Sequence, residues 1–141
     1  MNQPEEVEAQ APGFAGSKLR SFEDLECWKA GRAVRLFVAR EVLVVLPRDE
    51  KYRMGDQMLR AARSITANIA EGYGRFHYLD NSKFCSNARG SAYETLDHLI
   101  TAMDEGLIPE SLLVTGRCKI ETAVKLINGY MNYLKRAARN E

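Results

Sequence analysis

Cysteine, proline and long apolar runs are scarce in this sequence, and each scarcity excludes a class of protein. The 141 residues include three cysteines, Cys27, Cys85 and Cys118, without a Cys-x-x-Cys spacing. Neither a disulfide framework nor a zinc cluster is therefore expected. Four prolines and ten glycines are too few for a low-complexity chain. The longest aliphatic run, Val42–Leu46, has five residues, whereas a membrane-spanning helix needs about 20.

An excess of charge of one sign is also missing. The chain carries 20 Lys and Arg against 19 Asp and Glu, a formal net charge of +1, which does not indicate a strongly basic nucleic-acid module. Hydrophobic residues at 45% and charged residues at 28% are typical of one soluble globular domain. The first residues, Met-Asn-Gln-Pro-Glu-Glu-Val-Glu, are acidic where a signal peptide is basic, and no apolar segment follows. We therefore expect a cytoplasmic protein with no membrane partner.

Apolar residues recur at helical spacing in four segments, and no segment alternates as a strand does. The first predicted helix covers about residues 22–46 and ends before Pro47, which cannot continue it. The apolar stripe of the second ends at Gly72, a candidate C′ residue. The third ends at Gly106, and the fourth begins near Pro109.

Loops of about 3 to 8 residues between such helices force neighbours to run in opposite directions. The predicted fold is therefore all-α, an antiparallel up-down-up-down four-helix bundle. We expect the bundle to cover residues 21–137, between a flexible N-terminal tail, residues 1–20, and a C-terminal tail, residues 138–141.

The first predicted helix is apolar almost all round, which is more than the core of one bundle requires. On a helical wheel, the face assigned to the core carries Leu25, Trp28, Leu36, Ala39, Leu43 and Leu46. The opposite face carries Val34, Phe37, Val38, Val44 and Val45. Because soluble monomers rarely expose such a patch, we predict self-association through this second face. The alternative is that the N-terminal tail or a loop covers it.

No set of residues in the sequence assembles an active site. A di-metal helical bundle needs Glu-x-x-His pairs, and the nearest pair, Glu94 and His98, has an i,i+4 spacing. Cys85 lies eight residues from His77, but a thiol nucleophile also needs an orienting partner and an oxyanion hole. We therefore expect no enzymatic activity, no catalytic residue, no metal site and no cofactor.

A line of polar residues is predicted to follow the contact between the second and third helices. Asn68 lies in phase with the apolar stripe, so its amide should be partly buried and hydrogen-bonded. Glu71 lies in the last helical turn, where the helix dipole disfavours a carboxylate, so a partner is expected, either Arg75, Arg63 or a residue of the third helix. With Ser91 and Glu94, these residues form a predicted buried polar seam, which either fixes the register of the helices or binds a ligand.

The run from Asp56 to Gly72 resembles the signature of the four helix bundle protein family, also called the 23S ribosomal RNA intervening-sequence protein family. Three further pieces agree with that resemblance. Phe22 to Trp28 is similar to the family's Phe-x-x-Leu-x-x-Trp, and Pro47 to Tyr52 is similar to its Pro-x-x-Glu-x-Tyr. Ala88 to Glu94 is similar to its Ala-x-Gly-Ser-x-x-Glu, and the resemblance covers about residues 21–137.

The resemblance implies a bacterial protein that assembles as a homopentamer and has no established enzymatic activity. Family members are encoded inside ribosomal RNA intervening sequences or elsewhere as free-standing genes. Accessory proteins of diversity-generating retroelements are similar in fold and have a reverse transcriptase and nucleic acid as partners.

The charge alternates in sign when it is divided along the chain. Residues 1–28 carry −4, residues 29–75 carry +5, residues 76–116 carry −4 and residues 117–141 carry +4. In one interpretation these signs match neighbouring helices or subunits. In the other, exposed cations contact phosphates at patches repeated around an assembly. The candidate nucleic-acid-binding residues are Arg60, Arg63, Arg75, Lys135, Arg136 and Arg139.

Three hypotheses for the function follow from these observations. The first is a non-catalytic, homo-oligomeric scaffold or adaptor that binds RNA or a nucleic-acid-processing protein. The second is a self-associating protein-interaction module with no nucleic-acid role. An enzyme is the remote alternative, because no acid–base pair, nucleophile or metal set assembles.

Overall fold

Four helices make up most of the chain in the computed structural model, which describes residues 19–140. A short 3-10 helix, Phe22–Asp24, precedes them. The helices are α1 (Glu26–Phe37), α2 (Met54–Tyr73), α3 (Tyr78–Asp104) and α4 (Glu110–Arg139). No strand occurs among the described residues, so the predicted all-α class is confirmed.

The four helices pack in a ring in which each contacts two others. α2 packs against α3, α3 against α4, and α1 against both α2 and α4. Gly31 of α1 lies against Ile65 of α2, and Leu46, which follows α1 along the chain, lies against Gly55 at the start of α2. Apolar side chains from all four helices fill the centre of the ring, and their removal from water is the main source of stability.

The chain continues past the end of α1 with a different winding. Val38–Val42 form a π-helical segment, and Leu43–Val45 form a 3-10 turn. A single helical turn, Arg48–Lys51, then leads into α2. The first helical segment therefore ends before Pro47, as predicted, but it is not uniform. A π turn closes on the fifth residue rather than the fourth, so a regular helical wheel does not describe this segment.

Three of the five residues predicted for the self-association face lie in the core instead. Val34, Phe37 and Val38 are buried within the single chain, whereas Val44 and Val45 are exposed. The predicted interface is therefore wrong at its first three positions, and only its last two remain available to a second copy. The self-association itself stays a prediction.

The face of α1 that points inward is determined by Gly31. A Cβ atom at this position would lie 2.8 Å from Cγ2 of Ile65, closer than side chains pack. α2 can therefore approach α1 this closely only where α1 carries no side chain. Val34 lies three residues after Gly31, and Val38 lies four residues after Val34. All three consequently face the same way. A wheel that counts only apolar residues overlooks a glycine contact of this kind.

The boundaries of the predicted tails are shifted by contacts at both ends of the bundle. Leu19 is fully buried, and the backbone N–H of Arg20 donates to Oδ2 of Asp24 at 3.0 Å. This hydrogen bond lowers the pKa of the Asp24 carboxyl. Leu19 and Arg20, which the prediction assigns to the tail, therefore contact the bundle. Residues 1–18 lie outside the described part, and the flexibility of the tail stays a prediction. α4 extends past the predicted boundary at residue 137 to Arg139.

Gly106 ends α3 as predicted. Its φ of +73° lies in the left-handed region that glycine adopts without steric cost. The N–H of Gly106 donates to the carbonyl of Met103 at 3.0 Å, and the N–H of Leu107 donates to the carbonyl of Ala102 at 2.8 Å. Two carbonyls of the last helical turn are thereby satisfied, which is the Schellman arrangement.

Gly72, in contrast, does not end α2 in the predicted way. The helix continues through Tyr73, and Gly74 follows it with a negative φ. A Cβ atom at Gly72 would lie 2.6 Å from Oδ1 and 2.9 Å from the backbone oxygen of Asn81. Glycine is therefore required at this position by the close approach of α3.

The Gly72→Ala substitution is expected to destabilise the protein by about 1–3 kcal/mol, because the added methyl group overpacks the contact with the α3 backbone. Gly90→Ala is the matched control, since a Cβ atom there meets nothing within 4 Å. Gly90 lies inside α3, so this change should stabilise the protein by roughly 0.5–1 kcal/mol. Urea unfolding followed by circular dichroism measures both values. A Gly72→Ala protein as stable as the wild type would contradict the close-contact account.

Candidate nucleic-acid interface

The residues considered for thiol or metal chemistry do not form a site. Cys85 is fully buried and its Sγ lies 3.6 Å from Oδ1 of Asn81, whereas His77 is exposed just before α3 begins. Glu94 and His98 contact each other at 3.2 Å on one side of α3. Within residues 19–140, no group of three or more His, Cys, Asp or Glu side chains could hold a metal ion.

The predicted polar seam is present in part. Nδ2 of Asn68 donates to the carbonyl and the hydroxyl of Ser64 at 2.8 and 2.9 Å, and the Ser91 hydroxyl donates to the Ser64 hydroxyl at 2.8 Å. The Asn68 bonds lie within α2, and the Ser91–Ser64 bond joins α2 to α3. Glu71 and Glu94 were expected to be buried, and both are exposed. They lie on the outer side of their helices, and therefore the seam is shorter than predicted.

A second polar contact, which the sequence did not reveal, joins α3 to α4. Nδ2 of buried Asn81 donates to the hydroxyl of Tyr130 at 3.0 Å, and Nη1 of Arg89 donates to Oδ1 of Asn128 at 2.7 Å. No apolar stripe or motif in the sequence marks Asn81 as a buried residue. Gly72 of α2 lies against it, and nothing local in the sequence signals its bond to Tyr130, 49 positions along the chain.

Two of the predicted cations, Arg60 in α2 and Arg75 just after it, are already paired. Nε of Arg60 lies 3.1 Å from Oδ2 of Asp56, and Nη2 of Arg75 lies 3.5 Å from Oε1 of Glu71. The Arg75–Glu71 pair confirms the partner expected for Glu71. The Arg75 guanidinium also lies over the Phe84 ring, 4.5 Å from its centroid. Such exposed pairs stabilise the protein little, but they partly cancel the charge available to a phosphate.

Lys135, Arg136 and Arg139 form a separate group at the end of α4. All three are exposed, and none forms a salt bridge with another described residue. Arg63 is exposed on α2. α2 and α4 are not packed neighbours in the ring, so the structure does not join the two predicted groups of cations into one surface.

The structure instead places Lys135 near two cations of α3, a helix whose segment of the sequence has a negative net charge. A cleft of about 350 Å³ opens between the start of α3 and the end of α4. Lys83, Arg89 and Lys135 contribute cationic groups to its lining. Lys83 and Arg89 belong to residues 76–116, the segment with net charge −4. Four of its six acidic residues come after Glu94, farther along the chain than either cation. The net charge of the whole segment therefore does not reveal the two cations in the first half of α3.

Comparison with protein families places most of the bundle in a known group. The sequence model of the 23S rRNA-intervening sequence protein matches residues 23–129. The match begins in the short 3-10 helix and includes α1, α2, α3 and most of α4. It stops before Lys135 and the other cations at the end of α4. No match was found among curated proteins. Within residues 19–140, no helix combines the length and the apolarity needed to cross a bilayer.

Proposed function

The chain belongs to the 23S rRNA-intervening sequence protein family, and from that premise we propose that it is a non-catalytic, self-associating adaptor that binds RNA. The proposal takes the fold as an up-down-up-down bundle and the assembly as a homopentamer in the cytoplasm, as the family resemblance implies. A ring of copies would repeat each basic surface, and affinity for a polyanion rises steeply with the number of phosphate contacts.

The observation that carries the proposal is the unpaired positive charge at one end of the bundle. Lys135, Arg136 and Arg139 lie in the last turns of α4, next to the start of α3, where Lys83 and Arg89 are. Cations at the C-terminal end of a helix are favoured by the helix dipole, which accounts for three of them. The dipole does not account for Lys83 near the N-terminal end of α3, and a polyanionic partner would.

The proposed self-association rests on the apolar residues left exposed after α1. Val44 and Val45 are 62% and 48% exposed, and Tyr52 in the following segment is 80% exposed. The exposure of two adjacent valines to water has a free-energy cost that is proportional to their exposed apolar area. A second copy that covers this corner would remove that cost.

A protein-interaction module without a nucleic-acid role is the second candidate. The pairing of Arg60 with Asp56 and of Arg75 with Glu71 favours it, since these two cations are partly neutralised within the chain. The two candidates differ in one measurable property, which is a salt-dependent affinity for RNA.

Removing two cations from the end of α4 should weaken RNA binding. For the pair of changes Arg136→Gln and Arg139→Gln, we expect a lower affinity for a hairpin RNA and a log–log salt slope reduced by roughly 1 to 2. Fluorescence anisotropy from low to moderate salt measures both quantities. The control carries Arg117→Gln and Lys125→Gln, which remove the same charge from exposed positions of the same helix. Equal losses in the two proteins would contradict the location at the end of α4, and wild-type binding that ignores salt would favour the second candidate.

Introducing a charge at the exposed corner should dissociate the assembly. We expect Val44→Lys to lower the mass measured by size-exclusion chromatography with light scattering at micromolar concentration, because a buried lysine without a partner is costly. Val114→Lys is the control, since Val114 is 60% exposed, close to the value for Val44, and lies on α4. A monomeric wild type would contradict self-association, and a Val44→Lys protein of unchanged mass would contradict its location.

A further inference from the structure

Among the described residues, those that line the cleft between α3 and α4 include three cations and no carboxylate. Lys83, Arg89 and Lys135 line it, and none of the three forms a salt bridge with a described residue. Arg60 and Arg75, by comparison, each lie within 3.5 Å of a carboxylate oxygen. Like charges brought around one concavity repel each other, and an anion bound there relieves that repulsion.

The guanidinium of Arg89 is held in place by a neutral partner. Its Nη1 donates to Oδ1 of Asn128 at 2.7 Å, so the side chain is oriented while its charge is preserved. A guanidinium has five N–H donors in a planar fork, which leaves donors for a second acceptor. Arginine binds a phosphate most strongly in a planar, bidentate pair, in which two parallel N–H groups donate to two phosphate oxygens.

The remaining lining of the cleft is apolar or carries small hydroxyl groups. Met131 of α4 is buried, and Leu79 at the start of α3 is largely exposed. Ser82 and Ser86 contribute short side chains one turn apart, which leave space between the helices and can donate to an oxygen. The volume of about 350 Å³ falls at the lower end of the range of roughly 300–1,000 Å³ for small-molecule sites.

We infer that this cleft binds one nucleotide, with its phosphate at Lys83, Arg89 and Lys135 and its base against Leu79 and Met131. An inorganic anion would use the cations but not the apolar lining, and an apolar ligand would leave the cations unused. A phosphorylated, unstacked nucleotide uses both, since every base has an apolar face and a thioether packs favourably on an aromatic ring. The inference rests on the proposed RNA-binding function where the nucleotide is part of RNA, and it stands apart from it where the nucleotide is free.

Calorimetric titration with adenosine 5′-monophosphate, adenosine and inorganic phosphate tests the two halves of the cleft together. We expect the nucleotide to bind with a Kd at least about 10-fold lower than either fragment, a difference of about 1.4 kcal/mol. A nucleotide that binds no more tightly than phosphate would overturn the inference and leave only a general anion site.

Charge removal at the cleft locates the binding. The pair of changes Lys83→Gln and Lys135→Gln should weaken nucleotide binding by roughly 10-fold, since two of the three cations that contact the phosphate are lost and each exposed ion pair contributes modestly. The control pair, Lys119→Gln and Lys125→Gln, removes the same charge from α4 outside the cleft, and its Kd should stay within about 2-fold of the wild type. Equal losses in the two proteins would overturn the assignment to the cleft.

Two comparisons separate this inference from the proposed function. If hairpin RNA binds the wild type but the mononucleotide does not, the cleft inference fails and the RNA-binding proposal stands. If the mononucleotide binds in the cleft and RNA does not bind, the reverse holds. Competition between the mononucleotide and a 5′-phosphorylated oligonucleotide supports RNA as the source of the nucleotide, and a mononucleotide that the oligonucleotide cannot displace supports a free nucleotide.

Discussion

The arrangement of α2, α3 and α4 depends on one close contact, in which Gly72 lies against Asn81 and the Asn81 amide bonds to Tyr130. The missing side chain at Gly72 lets the α3 backbone approach α2 to a distance that a methyl group would not permit. Burial of Asn81 by this approach would be costly without a hydrogen-bonding partner, and the Tyr130 hydroxyl provides one at 3.0 Å. Three helices are thereby fixed relative to one another at the same end of the bundle.

This contact explains why charge gathers where the sequence shows none in excess. The start of α3 and the end of α4 meet beside Asn81 and Tyr130, so Lys83 and Lys135 line one cleft although 52 positions separate them. The hydrogen bond from Arg89 to Asn128 adds a third cation at a fixed position. A net charge of +1 for the chain is therefore compatible with a basic local surface, because cations from two different helices meet at one place in the bundle.

The sequence predicts the helices, the end of α3 and the family well, because each depends on residues that are close in the chain. The apolar stripes mark α2, α3 and α4, and Gly106 ends α3 by a local hydrogen-bond pattern. What the sequence does not predict depends on contacts between helices. The inward face of α1 depends on the contact between Gly31 and Ile65. Glu71 is exposed because it lies on the outer side of α2, and the cleft exists because α3 packs against α4.

The central claim is that a phosphate-bearing ligand occupies the cleft between α3 and α4, and the methionine methyl groups report on it directly. Met131 lines the cleft, whereas Met58 is buried in the core and Met103 lies at the far end of α3. In an NMR titration of methyl-labelled protein with adenosine 5′-monophosphate, the Met131 signal should shift in a saturable way while the signals of Met58 and Met103 stay in place. A Met131 signal that does not move, or equal shifts of all three, would contradict the account.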